Sequence, residues 1–275
     1  MKAFAVFGLC ALAIPAFADN HPNAGVAAIA EREAREFRTL LAGFFANEEQ
    51  VYFQANQELP EHLHAQRREF AVTVSENVVT FDLGDDDTLS GTVVPDTEHG
   101  GIDVEFGDDC LFNVAAHEAV YTAIGQGRAC EGQRLVLSDS GLSVSSGGVL
   151  PEGRFDRARA FSCWVAPRKR DGEYGFVNNV QLHTSGGRQW VSGEGFDTVG
   201  LRMRHVRWPM GRNRDSLVLY IHRADDTDWK SAESYAWTEP EASRIAVNLR
   251  WVQASCTEGE ADIKPGINLT TGSGN

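Results

Sequence analysis

Hydrophobic positions along this chain change their period once. From Ala24 to Phe45 they fall at Val26, Ile29, Ala30, Phe37, Leu40, Leu41 and Phe44, with Glu31, Arg32, Glu33, Arg35 and Glu36 on the other side. This three-and-four spacing predicts an amphipathic helix, capped at its start by Asn20 or Asn23 and ending near Gly43. A polar stretch, Asn47-Glu48-Glu49-Gln50, follows. Beyond it the period becomes two. Short runs rich in Val, Phe and Thr predict strands at Phe70–Val74, Val78–Leu83, Ile102–Phe106, Leu111–Ala115, Ala119–Ile124, Arg134–Leu137 and Leu142–Val144. Gly84-Asp85-Asp86-Asp87 and Ser138-Asp139-Ser140-Gly141 read as turns. Longer alternations follow at Ser216–His222 and Ile245–Trp251, and Ser185-Gly186-Gly187 predicts a hairpin between Val180–His183 and Gln189–Val191. So many antiparallel strands of similar length fit a barrel or a sandwich. The barrel is preferred, with the helix near one end, because closure removes exposed strand edges.

The first residues break this scheme. Lys2, the apolar run Ala3–Ile14 and the small-x-small site Ala16-Phe17-Ala18 read as a signal peptide cleaved after Ala18. The apolar run is too short for a spanning helix, which needs about 20 residues. The expected location is therefore periplasmic or secreted, and no other stretch is membrane-spanning. The strands lack the uniform length and apolar outer face of an outer-membrane barrel.

Export makes the cysteines informative. Cys110, Cys130, Cys163 and Cys256 remain after cleavage, an even count that reads as two disulfides rather than a metal site, since no pair is close in sequence. Three pairings are open. The pairing Cys110–Cys130 with Cys163–Cys256 is expected, the second tying the C-terminal region to the barrel. The alternative for Cys110 and Cys130 is packing as small apolar residues.

Charge adds a contrast. The mature chain has 24 basic and 39 acidic residues, a balance that argues against nucleic acid as a partner. Yet Pro151–Arg223 holds 13 basic and 7 acidic residues. Such a segment is either a site for an anion or one solvated face of a sheet. Nucleophile-elbow, H-E-x-x-H, phosphate-loop and dinucleotide motifs are missing from the sequence. His62 and His64, two apart, would share one face of a strand, but no third metal ligand stands out.

One longer pattern is more specific. Leu40-Leu41-Ala42-Gly43-Phe44-Phe45-Ala46-Asn47, then Gln50, is followed by Gly107-Asp108-Asp109-Cys110, Tyr121, Gly127-Arg128-Ala129-Cys130 and Arg157-Ala158-Arg159-Ala160-Phe161-Ser162-Cys163-Trp164. This pattern resembles the CpcT/CpeT family of phycobiliprotein chromophore lyases over roughly Leu40 to Trp164. The resemblance implies a calycin-like antiparallel β-barrel that holds a bilin-type tetrapyrrole and passes it to a cysteine thiol of an acceptor protein. The family's early-strand P-Y-R-x-R element has only Gln66-Arg67-Arg68-Glu69-Phe70 in its place.

The expected organisation is a signal peptide over 1–18, a chromophore-lyase-like barrel over 19–170, a C-terminal β extension over 171–257 packed on the same domain, and a tail over 258–275. Three functional readings stand: a bilin lyase, an exported non-catalytic carrier of a small apolar anion, and an envelope protein without a small ligand. For either ligand-bearing reading the candidate contacts are Tyr121, Arg128, Arg157 and Arg159. Aromatic rings suit flat pyrroles and guanidinium groups suit carboxylates. Arg157 and Arg159, two apart, would share a strand face.

Overall fold

Gly43 separates the predicted helix from a strand that takes up the end of its apolar pattern. The computed structural model describes residues 22–57, 60–145, 147–208, 213–259 and 265. The expected signal peptide and cleavage site lie outside these residues, as does most of the expected tail. Helix α1 spans Pro22–Leu41, and its Ala30, Ala34, Phe37 and Leu41 are buried at the predicted spacing, whereas Ile29 faces solvent. The helix ends near Gly43 as expected, but Phe44, counted in the helical pattern, and Phe45 form strand β1, Gly43–Ala46. Gly43 sits at φ 145°, and a Cβ there would lie 2.7 Å from Nη1 of Arg157. That guanidinium donates to the carbonyls of Leu40 and Ala42, serving the end of α1 where carbonyls lack helical partners. The polar stretch after β1, for which the pattern predicts no element, is helical. It opens helix α2, Glu48–Asn56, with Glu48 and Glu49 in the first turn, where the helix dipole favours acidic side chains. His62 falls in a 3-10 turn, Glu61–Leu63, with His64 just beyond it, not on a strand.

The period-two region closes a barrel. Strands β2 (Glu69–Ser75), β3 (Val78–Gly84), β4 (Asp87–Asp96), β5 (Gly101–Glu105), β6 (Leu111–His117), β7 (Val120–Gln126), β8 (Arg134–Ser138), β9 (Gly141–Ser145) and β10 (Gly153–Ala158) pair antiparallel in sequence order. Strand β1 pairs with both β2 and β10 and completes a closed ten-strand, calycin-like ring. Inward positions alternate with outward ones, so β7 buries Tyr121 and Ala123 and exposes Thr122 and Ile124. The interior is packed with rings: Phe45, Phe81 and Phe155 lie 5.5, 5.9 and 4.8 Å from Phe70, and Phe106 lies 5.9 Å from Phe81 and 6.0 Å from Phe112. Helix α1 touches β2, β4, β5 and β8, strands from different sides of the ring, and its Ala34, Phe37 and Leu41 join the same core.

The barrel's last strand ends at Ala158. Strand β11, Ala160–Pro167, already belongs to a second unit, so the seam falls at Arg159, earlier than the expected boundary at 170. The second unit comprises two four-stranded sheets over one apolar core. One sheet is ordered β12 (Val177–His183), β11, β18 (Val252–Glu258), β17 (Arg244–Asn248). The other is ordered β13 (Ser185–Val191), β14 (Val199–Val206), β15 (Ser216–Arg223), β16 (Ser234–Thr238). The predicted hairpin at Ser185-Gly186-Gly187 does not form: β12 pairs with β11 and β13 with β14, in opposite sheets. The glycines serve close packing. A Cβ at Gly186, where φ is 88°, would lie 2.4 Å from Cγ of Glu48, and the register of β13 shifts between Ser185 and Arg188.

Both disulfides are present as expected, Cys110–Cys130 and Cys163–Cys256, and both suit an oxidising compartment. The second joins directly paired residues of β11 and β18, so it closes the second unit on itself instead of tying it to the barrel. The first clasps two turns, where Ala129 N also donates to Asp109 O. Removing it by Cys110→Ala, Cys130→Ala releases a 20-residue loop. The loop-entropy relation gives a loss of about 3 kcal/mol, measurable as a lower urea midpoint; an unchanged midpoint would refute that role.

Candidate functional site

The four candidate ligand contacts do not converge. Tyr121 points into the barrel, 4% exposed, with its ring edge-on to Phe37 at 5.3 Å. Arg128 lies on the surface and pairs with Asp109 at 2.8 Å. Arg157 is held against the end of α1, with its guanidinium 4.8 Å from the Phe45 ring centre. Arg159 lies between β10 and β11, where it pairs with Glu258 at 2.9 Å and donates to the carbonyls of Pro240, Glu241 and Ala242. The two residues therefore grip different parts of the chain, because the strand ends between them.

The other motif residues are equally engaged in the fold. Asn47 does not cap α2; its side chain donates to Gln66 O at 2.8 Å and accepts from Arg68 N at 2.7 Å. Gln50 accepts from Arg154 N at 2.9 Å. The segment Leu41–Gln50 thus locks the chain entering β2 and β10 to the end of the barrel.

The basic segment divides. Arg188, Arg202 and Arg204 turn inward against acids of α2, and Arg207 turns against Asp156 of β10. Glu48, 2% exposed, accepts from Arg67 at 3.0 Å, from Arg188 at 3.0 Å and from Arg202. Glu49 accepts from Arg204 at 2.6 Å and from the backbone N of Arg207, while Arg207 pairs with Asp156 at 2.9 Å. Burial alone would raise the Glu48 carboxyl, but Arg202, Arg188, Arg67 and Arg204 together hold it below its usual range. Arg204 also stacks 3.7 Å from the centre of the Tyr52 ring. This network joins α2, β13 and β14, and so fastens the barrel to the second unit.

A concave surface lies beside that seam, on the outside of the barrel. One half, about 640 Å³, lies between α2 with the segment after it and the outward face of β8, β9 and β10. Its walls carry Arg68, Arg134 and Arg154, all exposed and none with an ion-pair partner among the described residues. The other half, about 430 Å³, reaches Phe53 and Trp208. Gln50, Gln54 and Arg154 line both halves.

The two glutamines are fixed in a particular sense. The side-chain oxygen of Gln50 is taken by Arg154 N, and that of Gln54 by Ala65 N at 2.7 Å. Each amide therefore turns its NH₂ group away from that anchor, as a donor. Of the acids lining the groove, Glu49 and Asp156 are engaged by Arg204 and Arg207, and Glu152 is exposed at its wall. Donors outnumber acceptors, in a chain of net charge −14.

Sequence reasoning marked Gln50 only as part of a motif and passed over Gln54, Arg134, Arg154 and Trp208. The i, i+4 spacing of Gln50 and Gln54 would have placed them on one helical face had α2 been recognised. The meeting of β8–β10 with α2 had no local signal. Comparison of the chain with protein-family models, with curated proteins and with solved structures gives no match.

Proposed function

We infer that this protein is an exported, non-catalytic binding protein that captures an oxygen-rich anion in the groove between α2 and the outer face of β8–β10. The observation that carries this reading is the convergence of Arg68, Arg134 and Arg154 with two anchored glutamine amides on one concave surface. Guanidinium groups and amide NH₂ groups offer only hydrogen-bond donors in such a place, and charge-assisted donation to carboxylate, sulfate or phosphate oxygens is the strong form of that bond. The packed rings inside the barrel support a site on its outside.

A bilin-type tetrapyrrole, passed on to an acceptor thiol, is the second reading. It is favoured by the closed antiparallel ring, the architecture that the chromophore-lyase resemblance implies. One titration separates the readings. Inorganic tripolyphosphate is expected to bind with an affinity that falls as salt rises, and Arg134→Gln, Arg154→Gln is expected to weaken it at least ten-fold. Each lost charge-assisted bond is worth about 1.5–3 kcal/mol. Binding of biliverdin without tripolyphosphate would favour the chromophore reading. Binding of neither would leave an envelope protein without a small ligand.

A further inference from the structure

The two halves of the groove differ in chemistry, and the difference bears on the form of the ligand. Arg134 lies on β8 and Arg154 on β10, with β9 between them; Ser143 of β9 pairs with both Arg154 and Val136. Two strand intervals and an offset of two residues along the strand separate their backbones by about 12 Å, so a lone carboxylate does not naturally serve both, whereas acid groups repeated along a chain do. Beyond the shared Gln50, Gln54 and Arg154, the second half changes character. It presents the rings of Phe53 and Trp208, the latter 46% exposed. The negative face of an indole suits the polarised C–H face of a sugar ring, while the ring's hydroxyl oxygens accept from amide NH₂ groups. Each half has the volume of an ordinary small-molecule site, so a ligand filling both is an extended one.

We propose that the groove binds a short stretch of an acidic polysaccharide. Uronate carboxylates lie along Arg68, Arg134 and Arg154, and one sugar face lies on Trp208. This inference rests on the anion-groove reading and adds the class of ligand.

The test is calorimetric titration of the full mature chain with tetragalacturonate, galacturonate monomer, tetraglutamate and tripolyphosphate. Tetragalacturonate is expected to bind at least ten-fold more tightly than the monomer and than tetraglutamate. Arg134→Gln, Arg154→Gln should weaken tetragalacturonate and tripolyphosphate alike. Trp208→Ala should weaken tetragalacturonate at least five-fold and leave tripolyphosphate unchanged. Thermal unfolding of each variant verifies that it is folded. If tetraglutamate binds as tightly as tetragalacturonate and Trp208→Ala changes nothing, the polysaccharide inference fails while the anion groove stands. If neither tetragalacturonate nor tripolyphosphate binds, both fall.

Discussion

Glu48→Gln is expected to lower the unfolding free energy by roughly 3–5 kcal/mol, the cost of removing one partner from a buried ionic cluster. The size of the side chain is nearly kept, so the effect is electrostatic. Arg188 and Arg202 each lose an ionic partner, and Arg67 keeps Glu69 and the carbonyl of Gly186. Arg202 retains its bond to the Trp229 carbonyl at 3.0 Å, which limits the loss without cancelling it. Because the cluster fastens α2 to β13 and β14, the variant should also loosen the coupling of the barrel to the second unit. Urea unfolding followed by tryptophan fluorescence should show a lower midpoint and a broadened or divided transition. A shift below about 1 kcal/mol, as for an exposed ion pair, would show that the cluster is not sealed from water.

Acid should destabilise the protein well before its carboxylates titrate. His183, 6% exposed, has its pKa depressed to about 3, first by burial and then by Arg67 and Arg188, against the opposite pull of Glu48. Its Nε2 lies 3.9 Å from Glu69, but a ring with so low a pKa is neutral there, and the contact is not an ion pair. In the unfolded chain the same ring takes a proton near pH 6.5. Unfolded molecules therefore bind the extra proton between these values, so the stability is present above pH 6.5 and is lost as pH falls toward 3. For His183 alone the loss amounts to about 4 kcal/mol between pH 7 and pH 3.5. His205 and His222 are also depressed by burial and act in the same sense. Asp156 and Glu49, raised by burial, act in the opposite sense as they gain protons, and Glu48, held low, loses its contribution only at the acid end. Urea midpoints from pH 7 to 3.5 should fall steadily, and His183→Gln should flatten the slope. A wild-type midpoint constant over that range would contradict a buried neutral His183.

The sequence by itself determined what local physics controls. Alternation placed most barrel strands within a few residues, because inward and outward side chains meet different solvents. Even cysteine number and spacing led to the two disulfides. The α1 face was legible at Ala30, Phe37 and Leu41, since 3.6-residue periodicity does not depend on the partner. Failures began where a residue's environment comes from far along the chain. Phe44 and Phe45 continue the helical pattern, and only the pairing of β1 with β2 and β10 makes them a strand. Ser185-Gly186-Gly187 has the composition of a hairpin, yet Gly186 makes room for Glu48, nearly 140 residues earlier, and Gly187 for His183. The arginines of the basic segment looked available for a ligand, because burial and the acids facing them are invisible in a string of residues. Arg134 carried no signal, being an ordinary outward strand position, and Arg154 was one basic residue among the 13 of its segment, with nothing local to set it apart. Only the tertiary structure could decide that Arg188, Arg202 and Arg204 are spent inside the molecule while Arg68, Arg134 and Arg154 face a groove, since charge acts through space and sequence separation does not measure distance.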